Sequence, residues 1–271
     1  MAAPDDTSDE LNEELSPREK AMGFLDHLEE LRWTLIKSFV VFLIVFIAIA
    51  IFLNEARDML YWPLHMGLGP ERSANFKLVT PSPMAVFSTL ITMCVLASVP
   101  IALPFVLFFI GQFVAPALTK REMRMALPVC TAAVILFLAG GSFSFFFLVP
   151  SVVKISMEYA EWLQSEFLWQ VDNYFSMLTW MTIGMGAAFQ FPLILLIAVY
   201  LNLVTVAALR SWRRIVIIVC FVVAAVITPT QDFLTMTIVA LPLWFLYELA
   251  LIVAGIYEKR RKAREKLEEA A

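Results

Sequence analysis

The sequence predicts an all-α integral membrane protein of six transmembrane helices with both termini cytoplasmic. Of the 271 residues 61% are hydrophobic and 16% charged, against roughly half and a quarter in an ordinary soluble domain. The charges that remain are gathered between long apolar runs. The Lys and Arg residues also favour one side of those runs, as the positive-inside rule requires.

Residues 1–20 hold seven acids and two bases with almost no apolar content, the composition of a disordered, solvated tail. It lacks the pattern of a signal or transit peptide. From Gly23 to Arg32 the residues Phe24, Leu25, Leu28, Leu31 and Leu35 share one helical stripe, while Asp26 and Glu30 lie together opposite it. This is an amphipathic helix on the inner membrane surface. Acids there gain nothing from anionic lipid, so the patch suits a basic partner.

A helix rising 1.5 Å per residue needs about 20 apolar residues to cross about 30 Å of hydrocarbon. Four segments meet that length with no charge apart from Lys37: 34–53, 84–114, 125–150 and 173–201. Between the first two lies an outer loop containing Pro63. After the third, Val152, Ile155, Tyr159, Trp162 and Leu163 recur at helical spacing, predicting a helix that lies flat on the outer surface. Beyond the basic loop at 202–214 the chain is apolar to Ile256 except at Asp232 and Glu248, and Thr228 to Asp232 carries turn chemistry. Two helices are therefore expected, 215–228 and 233–256.

The first of these would reach only about 21 Å, a length that also allows a re-entrant loop. Parity decides. Of the 20 Lys and Arg only Arg57, Arg72, Lys77 and Lys154 fall in 54–83 and 151–172, so the N-terminal part, 115–124, 202–214 and the basic tail 258–271 are assigned to the cytoplasm. An even number of crossings then separates 202–214 from the tail, giving six spans in one domain over 21–257. Trp33, Trp62, Trp162, Trp169 and Trp212 lie at span edges, where indole rings favour the headgroups; Trp180 and Trp244 do not.

Catalytic groups are missing. His27 and His65 both lie outside the spans, and neither H-E-x-x-H, a nucleophile elbow nor a phosphate-binding Gly-Lys loop is present. Cys94, Cys130 and Cys220 sit in apolar runs and do not form a disulfide or zinc framework. No enzymatic activity, cofactor, metal or nucleic-acid partner is expected. Glu248 is nearly alone as an intramembrane acid, either bonded within the bundle or functional. Gly184, Gly186, Gln190 and Pro192 in span four combine small residues with a polar amide and a freed carbonyl, which allows a neighbouring helix to dock.

Together, four stretches resemble the TatC family, the multispanning core of the twin-arginine protein translocase. They are His27-Leu28-Glu29-Glu30-Leu31-Arg32; Phe113 to Glu122 with its Ala-Pro-Ala-Leu; Phe189-Gln190-Phe191-Pro192; and Thr228-Pro229 to Asp232, followed by Leu241-Pro242 and Tyr247-Glu248. The resemblance covers about 22 to 257. It implies a concave, glove-like bundle with short fifth and sixth helices, in the bacterial cytoplasmic (inner) membrane. It further implies recognition of folded cargo through a signal peptide bearing two arginines, and export driven by the proton motive force.

By the same resemblance Glu30 and Glu122 receive the arginines, Phe113, Pro116 and Leu118 shape the loop holding Glu122, and Arg32 positions the helix or lipid headgroups. A guanidinium fork pairs a carboxylate in a way lysine does not; each bond contributes roughly 1.5 to 3 kcal/mol if shielded and about 0 to 1 if exposed. Specificity thus requires a semi-enclosed site. Pro63 and Asp232 match positions linked to assembly and transport, with a structural turn role as the equal alternative. Implied partners are single-span subunits of the TatA and TatB type, docking near spans four to six at Gln190 and Pro192, together with membrane lipid and self-association in the receptor complex. Many relatives carry glutamate at the Gln190 position; an amide does not titrate. A small-solute secondary transporter, which would need a midplane site at Gln190, Pro192 and Glu248, is the alternative function.

Overall fold

The computed structural model describes residues 24–73, 76–114, 120–165, 168–201, 203–230 and 232–269, with the side chains of 24–26, 114, 120–126, 262 and 264–269 left out. The acidic segment 1–20, Pro116, Leu118 and the side chain of Glu122 lie outside this description. The described residues form helices: α1 Phe24–Ile51, α2 Leu53–Leu68, α3 Pro83–Val114, α4 Lys120–Phe143, α5 Val149–Trp162, α6 Val171–Ala188, α7 Phe191–Tyr200, α8 Val206–Ser211, α9 Arg213–Ile227 and α10 Phe233–Glu269. A single helical turn, Pro70–Ser73, follows α2. Among the described residues there is no strand, only an isolated bridge between Val79 and Gln170.

Five helical runs are long and apolar enough to cross a membrane: His27–Ile51, Pro83–Phe113, Leu127–Trp162, Val171–Tyr200 and Phe233–Arg261. They coincide with five of the six expected spans. The remaining one is α9, of 15 residues, which rises about 22 Å. It packs along α10.

Two expectations for the outer segments need correction. The residues after 150 do not form a separate surface helix: α4 passes through a π-helical turn at Ser144–Leu148 directly into α5. The reason is burial, because Val149, Val152 and Val153 are fully enclosed, and leaving them at a lipid surface would forgo that packing. Their partner is α2, so the presumed outer loop is itself a helix. Leu60, Leu64 and Leu68, one turn apart, face the core with Pro63. Gly67 makes the approach possible, since a Cβ there would stand 2.6 Å from Val153 Cβ and 2.8 Å from the Pro150 carbonyl oxygen.

The centre of the molecule is α6, whose Tyr174, Phe175, Leu178, Met181 and Met185 are completely buried. Its first turn is tied to α2 by Tyr174, which donates its hydroxyl to the Leu60 carbonyl at 3.3 Å, and by the edge-on contact of Tyr61 with Phe175 at 5.2 Å. Lower down it crosses α4 closely. A Cβ on Gly140 would meet the Met185 carbonyl oxygen at 2.7 Å, and one on Gly186 would meet Phe137 at 2.9 Å. Small residues let membrane helices approach in this way, so the glycines of span four are used at least in part within the chain. The first helix packs chiefly on α3 and leaves Phe39, Ile44 and Ile47 exposed.

Candidate functional site

At the basic ends of the helices the start of α1 meets the end of α3. The His27 ring stacks on Phe113, with centroids 4.4 Å apart and planes inclined by 14°. Glu30 follows His27 by three residues and therefore shares its side of the helix. One turn on, Thr34 is buried and donates its hydroxyl to the Glu30 carbonyl at 2.9 Å, fixing the backbone beneath the carboxylate. Glu30 is half-buried, and its Oε2 is shut from solvent without accepting a hydrogen bond from any described residue. A carboxylate oxygen in that position has lost water and gained no donor, an arrangement that a cationic donor would relieve.

Arg32 is exposed, and among the described residues no contact joins it to this cluster. Glu122 lies on the first turn of α4, with its side chain outside the description. The structure stacks Phe113 on His27, one helical turn before Glu30, and His27 is a residue that sequence reasoning quoted in its motif but did not assign. The available signal was its spacing from Glu30.

Gln190 occupies the break between α6 and α7, and its Nε2 donates to the Ala133 carbonyl of α4 at 2.9 Å. Pro192, at the start of α7, is buried. Pro63 is buried inside α2 instead of standing in a loop. Asp232 caps α10: its Oδ1 accepts from the Thr235 backbone N–H at 2.9 Å, and its Oδ2 accepts from the Thr235 hydroxyl at 2.5 Å. Burial pushes the Asp232 carboxyl up, but the hydrogen bonds from Thr235 and Thr230 outweigh it and hold the group below the usual carboxylate range.

Of the readings left open for Glu248, a bond within the bundle is present, to a partner that the sequence did not name. Arg213 Nη2 donates to Glu248 Oε2 at 2.7 Å, joining α9 to α10. Beside it Tyr247 donates to the Leu209 carbonyl of α8 at 2.5 Å. Among the described residues no group of three or more His, Cys, Asp or Glu side chains could hold a metal ion.

The family model for TatC, described as the Sec-independent protein translocase protein, matches residues 26–242. The chain belongs to the TatC family. The match takes in Asp26 to Arg32, Phe113, Glu122, Gln190 and Asp232, and ends at Pro242, before Glu248. A TatC protein of Koribacter versatilis (strain Ellin345) is 32% identical over 252 residues, covering 93% of this chain and 92% of that protein. The TatC of Aquifex aeolicus (strain VF5) is 29% identical over 247 residues, covering 90% of this chain and all of that one, 100%. A crystal structure of a twin-arginine translocase receptor, TatC in DDM, superposes with a TM-score of 0.71 at 30% identity, over 84% of this chain and 99% of the other. As a TatC protein with several apolar helices, the chain is a multi-pass membrane component of the Tat protein translocase and works with other proteins in that complex.

Proposed function

We propose that this TatC protein is the signal-peptide receptor of its translocase, binding the twin-arginine signal of folded cargo at the cytoplasmic face and supporting export driven by the proton motive force. The observation that carries the reading is the enclosed, unpartnered Oε2 of Glu30 beside the His27–Phe113 stack. A guanidinium supplies two parallel donors to such a carboxylate, whereas an ammonium group acts as a point charge. Glu122 is the second acceptor in this reading, Phe113 shapes the pocket, and Arg32 faces lipid headgroups or orients the helix. The solved relative named a twin-arginine translocase receptor supports the same role.

In this reading α9 is the sixth crossing and both termini face the cytoplasm across a bacterial inner membrane. Residues 21–257 form a concave, glove-like domain between two charged tails. Single-span subunits of the TatA and TatB type dock around Gln190 and Pro192, and Pro63 and Asp232 act in assembly and transport by holding α2 and the start of α10. Self-association completes the receptor complex. The intrachain bonds of Gln190 to Ala133 and of Glu248 to Arg213 leave the solute-transporter alternative without support.

The test is binding of a labelled signal peptide to the purified protein in nanodiscs. The Arg-Arg peptide should bind at least tenfold more tightly than its Lys-Lys counterpart, a difference of about 1.4 kcal/mol, and Glu30→Ala with Glu122→Ala should remove the difference. Equal binding in all four combinations would place recognition elsewhere.

A further inference from the structure

Near the basic ends of α4 and α7 lies a cavity of about 490 Å³ that also touches α3 and α10. Its walls include Leu107, Cys130, Ala132, Leu196, Val253 and Tyr257. The volume is that of a small-molecule site, and the lining is almost wholly apolar. At its end the rings of Tyr200 and Tyr257 approach to 5.3 Å, and a smaller cavity of about 60 Å³ continues past them, bordered by Thr205, Glu258 and Arg261.

Charge is arranged around this mouth. Along α10, Val253 and Tyr257 face the cavity, and Arg260 and Arg261 follow Tyr257 by three and four residues, on the same helix face. Lys259, Arg260 and Arg261 outnumber the single acid Glu258 on that turn. An apolar slot in a membrane-embedded wall, closed at one end by tyrosines and then by bases, matches an amphiphile with an acyl chain and an anionic head.

We propose that this cavity is a binding site for an anionic phospholipid of the leaflet at the basic helix ends, with an acyl chain between α4 and α7 and the phosphate at the level of Arg260 and Arg261. Delipidated protein in mild detergent is titrated with phosphatidylglycerol or phosphatidylcholine and read by native mass spectrometry. Wild type should retain phosphatidylglycerol with roughly a tenfold preference. Arg260→Gln with Arg261→Gln should erase the preference, and Ala132→Trp, which fills the slot, should lower retention of both lipids.

Equal retention of the two lipids by wild type, a preference that survives loss of both arginines, or full retention by Ala132→Trp would each overturn the proposal. Because the tryptophan could disturb packing, the unmodified protein provides a second measurement. Phosphatidylglycerol with a diazirine in its acyl chain should label 193–201 and 253–257. Labelling confined to the exposed face of α1 would show that lipid only surrounds the protein.

Discussion

An ionised carboxylate within an apolar span is costly unless it is paired, and Arg213 provides that pair for Glu248. The side chains are 52% and 23% exposed respectively, so the pair sits at the rim of the bundle and its value lies between those of surface and buried bridges. Arg213→Ala should destabilise the protein by about 2 kcal/mol, because it strands the acid. Thermal unfolding in detergent would read this, and adding Glu248→Gln to that variant should recover part of the loss. A double variant no more stable than Arg213→Ala alone would show that the carboxylate finds another partner. The sequence allowed a bond within the bundle for Glu248 but not its partner, because the two residues lie on separate helices and share no motif spacing. Glu30 and Phe113, by contrast, stood out through their motifs, while their connection through His27 required the packing of α1 on α3.

Among the elements, α10 begins with a cap that the sequence displayed as turn chemistry, but its partners were not readable. Asp232→Ala should cost about 1 kcal/mol, the usual value of an N-cap. Because the folded Asp232 carboxyl lies below its usual range, its contribution is present above the unfolded value of about 3.9 and is lost as pH falls through the folded value. The gap in melting temperature between wild type and Asp232→Asn should therefore be widest near neutrality and close in acid; a gap independent of pH would contradict this. The five long spans were legible because uncharged runs of that length have few other uses. The helix α2 was not, since Asn54, Glu55, Arg57 and Asp58 at its start and Pro63 within it resemble loop composition. Its apolar stripe acquires meaning only opposite Gly67 and Val153. The continuation of α4 into α5 was hidden for the same reason, as the polar residues of α5 face away from a contact that sequence alone does not reveal.

For the whole molecule, the number of crossings turns on α9. In a variant whose native Cys94, Cys130 and Cys220 are replaced, a cysteine at Ser73 should react with an impermeant maleimide added outside spheroplasts, while one at Ala263 should react only after lysis. Reaction of both from outside would mean that α9 does not cross. Where α9 ends can be read from its neighbour: Trp180 donates its indole N–H to the Val226 carbonyl at 3.1 Å, and Gly184 lies beside Ile227. Trp180 is nine residues into α6, which began at Val171, so the last turn of α9 meets that helix about 14 Å along from its start. Asp232, whose hydrogen bonds from Thr235 and Thr230 favour the ionised carboxyl, follows at this recessed level, where water or headgroups would solvate it. In the proposed six-span topology a lipid sheet of even thickness would cover it, so the outer surface would dip toward the hairpin and the bilayer would be thinnest there.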